Sequence, residues 1–144
     1  MSNTPVRPAS VRLAQPRRWT TLAAASVSLA TLGTAHAVSM AKDALDGFRG
    51  TVLVLYGDVP LITADSLSRL AALAATGGIA VLGFEARNPH GYGRLLRNGE
   101  GLVTGIREEL DASSEERAIS LCNSGIIAVS AELLWPLIAK VGNA

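Results

Sequence analysis

Runs of apolar residues punctuated by glycine, proline and small polar clusters divide the chain from residue 33 onward. Thr34 is placed to cap a helix reaching to about residue 47, with Ala37, Val38, Ala41 and Leu45 on one face. TVLVLY, residues 51–56, is continuous, apolar and rich in β-branched side chains, the pattern of a strand buried on both faces in a parallel sheet. Thr63 opens a second helix, with Leu67, Leu70, Ala71 and Ala74 at helical spacing and Gly77-Gly78 closing it. IAVLGFE, residues 79–85, repeats the buried-strand pattern. Strand, helix and strand with short connections predict a βαβ unit.

Beyond residue 86 the spacing changes. Asn98-Gly99, between RLLR and LVTGIRE, predicts a hairpin. Asp111–Arg117 is polar, a loop or one helical turn. ISLCNSGIIAV, residues 119–129, predicts a further strand, and Ser130 caps a last helix with Pro136 inside it.

Residues 1–31 do not share this organisation. The first nineteen are polar, basic and proline-containing, and residues 20–32 are apolar but too short to span a bilayer as a helix. Arg17-Arg18, the apolar run and Ala35-His36-Ala37 together imitate an export signal with a small-residue cleavage site. The other reading is a disordered leader with no role, residues 1–31, ahead of a domain over residues 32–144.

The chain has 144 residues, 49% hydrophobic and 17% charged, enough apolar material for one core. A net charge of +1 gives no electrostatic case for nucleic acid. Cys122 is the sole cysteine, which excludes an intrachain disulfide and a cysteine-built zinc site. His36 and His90 match no metal spacing.

The chemistry concentrates where TVLVLY runs into Gly57 and Asp58. In open α/β sheets, ligands bind beyond the carboxyl ends of strands. Gly57 leaves room for a ligand at the backbone, and Asp58 suits Mg²⁺ held beside phosphates. A plain turn is the competing reading.

LGTAHA from Leu32, LVLYGDVPLI from Leu53, GYGR from Gly91, VTGIRE from Val103 and NSGI from Asn123 occur in that order. This series resembles the uridyltransferase domain of bacterial bifunctional N-acetylglucosamine-1-phosphate uridyltransferase / glucosamine-1-phosphate acetyltransferase, over roughly residues 32–144. The resemblance implies an α/β fold, a partial Rossmann-like doubly wound sheet. It implies a cytoplasmic nucleotidyltransferase that joins UTP and N-acetylglucosamine 1-phosphate into UDP-N-acetylglucosamine and pyrophosphate, with Mg²⁺ as cofactor. Gly33 and Thr34 match positions that contact uracil. Tyr56, Gly57 and Asp58 match the nucleotide-contacting triplet, with Asp58 as metal ligand. Gly93, Glu108 and Asn123 match positions that hold the N-acetylglucosamine moiety. Read without the family, Gly93 could simply start a strand, Glu108 could be one of two solvated acids beside Glu109, Asn123 could be structural, and Arg94 could be a surface strand residue.

Residues 1–31 contain no glycine-rich phosphate loop of the family kind and Ser28 stands where the family has a glutamine. This pattern is that of a fragment or a frameshifted start, missing the first strand and the phosphate loop. The family's second metal-ligand asparagine and the acetyltransferase domain through which its members oligomerise have no counterpart in the 144 residues. Two other functions stay open: a non-catalytic remnant that binds a sugar nucleotide, and a nucleotidyltransferase for another sugar phosphate.

Overall fold

A computed structural model describes residues 34–59 and 61–141. The leader at residues 1–31, with Arg17-Arg18 and the apolar run, and Gly33 lie outside the described residues, whereas Ala35-His36-Ala37 lie within them, in a helix. The described residues form two compact units, one over Arg49–Leu134 and a smaller one containing those from Thr34 to Phe48 and from Trp135 to Val141.

The larger unit contains β1 (Thr51–Val54), α2 (Ala64–Ala74), β2 (Ile79–Glu85), β3 (Arg94–Arg97), β4 (Val103–Arg107), α3 (Ser114–Arg117) and β5 (Leu121–Ser130). α4, Ala131–Ile138, begins in it. The smaller unit holds α1 (Thr34–Ser39) and a 3₁₀ turn at Asp43–Leu45. The helix expected from Thr34 to about residue 47 is therefore shorter, breaking after Ser39 and resuming only as that single tight turn.

The α/β class is as expected. The strand arrangement differs from a simple parallel βαβ unit. β5 pairs antiparallel with β1 through Thr51↔Ser130 to Val54↔Ile127 and with β2 through Ile79↔Val129 to Glu85↔Leu121. β1 and β2 thus run in the same direction, with α2 as their crossover, but β5 lies between them. Every pairing among the described residues is antiparallel. The sequence of β5 explains its central place: Cys122, Ile126, Ala128 and Val129 are all buried. β1 is half-buried along its length, not buried as its apolar run predicts, because β5 occupies the central position.

α2 starts as the sequence predicts: the Thr63 hydroxyl accepts the Ser66 amide at 3.2 Å. Leu70 and Ala74, one turn apart, pack on Ala80, Ile126 and Ala128, with Leu53, Val59, Ile62, Leu67 and Leu82 around them. This is the core of the larger unit. Ser130 caps α4 by accepting the Leu133 amide at 3.2 Å.

The β3–β4 hairpin forms, but not with a two-residue Asn-Gly turn. Asn98 accepts the Glu100 and Leu102 amides on its side-chain oxygen, and Gly101 carries the positive φ of 82°. The longer turn keeps its backbone bonds, from the Gly101 amide to the Asn98 carbonyl and from the Asn98 amide to the Leu102 carbonyl, both at 3.0 Å, and the asparagine side chain adds to them.

One irregularity in β5 positions the site. Between Val81↔Ile127 and Gly83↔Asn123, two steps along β2 correspond to four along β5. The extra residues form a bulge at Ser124-Gly125-Ile126. Gly125 adopts φ 79°, the left-handed region that suits glycine. The Ser124 hydroxyl locks the bulge by donating to the Leu82 carbonyl at 2.6 Å and accepting the Ile126 amide at 3.2 Å.

Candidate functional site

β5 changes partner at this bulge. On one edge its upper part, from Ile127, pairs with β1, and its lower part, at Cys122, pairs with β3. The end of β1 and the start of β3 therefore meet at the bulge, and Tyr56, Gly93, Glu108 and Asn123 gather there.

Tyr56 lies two residues past β1. A Cβ placed on Gly125 would fall 2.6 Å from Tyr56 Cε2, so the ring rests directly against the glycine. Asn123, at the bulge's other end, uses both backbone and side chain. Its amide donates to the Gly93 carbonyl at 2.7 Å. Its Oδ1 accepts the Gly125 amide at 2.9 Å, which leaves its Nδ2 as the group available to a ligand. Across the hairpin, a Cβ on Gly93 would fall 3.1 and 3.2 Å from the two Glu108 carboxylate oxygens. Gly93 is buried and Glu108 exposed, so the carboxylate lies over the glycine with one side open to water.

Tyr56, Gly93, Glu108 and Asn123 are thus brought together as a connected series. Gly57 and Asp58 follow Tyr56 in an exposed turn, closed by the Val59 amide and the Tyr56 carbonyl at 3.4 Å. A Cβ at Gly57 would meet nothing within 4 Å, so the backbone there is open to a ligand. Thr34 opens α1 in the smaller unit.

No group of three or more His, Cys, Asp or Glu residues that could hold a metal occurs among the described residues. The lone, exposed Asp58 carboxylate does not make a protein cage for an ion. It fits Mg²⁺ shared with ligand phosphates, since that ion keeps few protein ligands.

Two readings of single residues are corrected by the structure. Arg94 is not a surface residue: it is 1% exposed, and its Nη2 lies 2.7 Å from Glu109 Oε2. Glu109 is accordingly not a solvated acid, and the Arg94 guanidinium beside it, outweighing the effect of burial, holds its carboxyl below the ordinary value. The sequence reading also missed Gly125 as a site residue. A glycine interrupting a β-branched strand signals a bulge or a close approach, and here it marks both.

No family model matches the chain. It is similar to curated proteins named Bifunctional protein GlmU. It is 52% identical over 112 residues to the protein from Ruegeria pomeroyi, 54% over 115 residues to that from Rhodospirillum rubrum and 51% over 113 residues to that from a Bradyrhizobium species. Each match covers 78% of this chain. The chain spans about a quarter of the length of these relatives, 25%, 26% and 25% respectively. Identity at this level over most of the chain makes the chain a member of the bifunctional GlmU family over the part of the length that they share.

Proposed function

We propose that residues 32–144 carry the sugar-side part of a uridylyl transfer site. The reaction is the displacement of pyrophosphate from UTP by a phosphate oxygen of N-acetylglucosamine 1-phosphate, giving UDP-N-acetylglucosamine. The sheet is read as part of the Rossmann-like, doubly wound type, and the work is placed in the cytoplasm, where UTP is. Among the described residues no helix is long and apolar enough to cross a membrane.

The observation that carries this reading is the connection from Tyr56 through Gly125 and Asn123 to Gly93 and Glu108. Each group then has a distinct part. The Glu108 carboxylate accepts hydrogen bonds from sugar hydroxyls. Buried Gly93, with no side chain, leaves room for that carboxylate to lie over it. Asn123 Nδ2 donates to a ligand oxygen. Tyr56 and Gly57 line the nucleotide, and Gly33 and Thr34 are assigned to the uracil. Asp58 holds Mg²⁺, which would neutralise charge on the phosphates. Transfer of this kind depends on position and charge stabilisation, so no general base is assigned.

Residues 1–31 supply no glycine-rich loop to cradle a triphosphate. The 144 residues alone are therefore expected to bind the sugar nucleotide and to release pyrophosphate at close to background rate. Losing one preorganised donor costs about 10²–10³ in rate, and several act together here. Titration of the chain with UDP-N-acetylglucosamine, followed by amide chemical shifts, should move Gly93, Glu108 and Asn123. Absence of those shifts at millimolar ligand overturns the assignment. Pyrophosphate release that Asp58→Asn abolishes would show that a phosphate loop is dispensable and overturn the expected lack of turnover.

A further inference from the structure

Arg94 is the single buried charged residue among the described residues. Taking a guanidinium out of water is costly unless its charge and donors are met. Here one Nη1 donor goes to the Tyr92 carbonyl. Nη2 donates to the Arg117 carbonyl at 3.1 Å and lies 2.7 Å from Glu109 Oε2. Nε and Glu109 Oε2 have no hydrogen-bond partner among the described residues, so the contact between Arg94 and Glu109 is one of opposite charges at short range. The guanidinium thus joins three segments: the residue before Gly93, the residue after Glu108, and the end of α3.

Those first two attachments flank the two residues whose contact forms one wall of the site. Gly93 lies between Tyr92 and Arg94, and Glu108 immediately precedes Glu109. At 1% exposure the guanidinium cannot reach a ligand itself. We propose that Arg94 and Glu109 are a positioning pair that fixes the Glu108 carboxylate against Gly93, and so sets the affinity of the site for the sugar phosphate but not for the nucleotide. The consequence for the sugar rests on the function proposed above; the placement of Glu108 does not.

A lysine cannot replace this arrangement. Its ammonium is a compact point charge, whereas the planar fork meets two carbonyls and a carboxylate in different directions. Glutamine at position 109 keeps shape and one acceptor but removes the charge.

The test compares the unmutated chain with Glu109→Gln and Arg94→Lys. Glu109→Gln is the milder change, since that side chain is 21% exposed. Without ligand, the nuclear Overhauser contact between Gly93 Hα and Glu108 Hγ is measured, with the dispersion of the core amides as a check of folding. With Mg²⁺ present, N-acetylglucosamine 1-phosphate and UTP are then titrated separately. In folded Glu109→Gln the contact should weaken. Sugar-phosphate affinity should fall roughly tenfold, while UTP affinity stays within about twofold, because a displaced positioning group acts on the ligand it positions.

Loss of affinity for both ligands together would show a merely structural pair and overturn the proposal. So would an unchanged contact with unchanged sugar-phosphate affinity in both variants. If the unmutated chain binds no sugar phosphate, the functional assignment fails by itself. The pair is then judged on the Gly93–Glu108 contact: persistence in both variants overturns it, and loss in folded Glu109→Gln upholds it.

Discussion

At the scale of single residues, the site depends on two glycines for opposite reasons. Gly93 leaves space beneath a carboxylate, and Gly125 supplies both a left-handed backbone and a seat for the Tyr56 ring. Substitution at Gly125 separates these roles. Gly125→Ala is expected to lose about 1–2 kcal/mol from the left-handed conformation alone. Asparagine tolerates that conformation better, so Gly125→Asn should recover part of the stability while still pushing the ring aside. Thermal melts measure the first effect and Tyr56 ring shifts the second. Equal stability of both variants and the parent would contradict the account. The motifs made Tyr56, Gly93, Glu108 and Asn123 legible in the sequence, because their spacing carries a family resemblance. The connections between them were not legible. Nothing in the order Arg94-Leu95 reveals that the arginine is buried, since its partner Glu109 lies across a hairpin and its acceptor Arg117 at the end of α3.

Two helix starts were read well because their ends carry local chemistry, whereas the helix from Thr34 proved shorter. Thr63 and Ser130 cap helices as their side chains predict. α3 is a fuller instance: the Ser113 hydroxyl accepts the Glu116 amide at 3.2 Å, and Glu116 Oε2 accepts the Ser113 amide at 2.9 Å. That backbone bond, with Arg107 Nε 3.2 Å away, holds the Glu116 carboxyl below its ordinary 4.5. A carboxyl lowered in the folded state stabilises it above the unfolded value, and the contribution is lost as pH falls through the folded one. Stability should therefore decline as pH drops below about 4.5. In Glu116→Gln, which titrates no proton, that decline should be shallower, as urea unfolding at a series of pH values would show. An unchanged slope would remove Glu116 from the explanation. What local chemistry could not give is strand order. Two apolar runs around a helix fit a parallel pair equally well whether they touch or admit a third strand between them. Only long-range packing, through Ile126 and Ala128, selects the second arrangement.

For the molecule as a whole, the sheet path runs β1-β5-β3-β4, with β2 on the other side of β5. Among the described residues no strand pairs the outer edge of β1. Exposed apolar edges invite pairing with other chains. The 144 residues are expected to associate as concentration rises, which sedimentation velocity over a dilution series detects. A concentration-independent monomer would show that edge to be protected. β5 also has a meaning for the protein while it is being made. It pairs with β1, β2 and β3, yet it is the last of the five strands among the described residues. A ribosome releases the chain from its amino end, so β1 and β2 emerge from the exit tunnel with their shared neighbour still unsynthesised. They cannot substitute for it by pairing with each other without taking the wrong register. The larger unit therefore closes only after Ser130 has cleared the tunnel, and until then β1 and β2 carry unpaired edges open to non-native association.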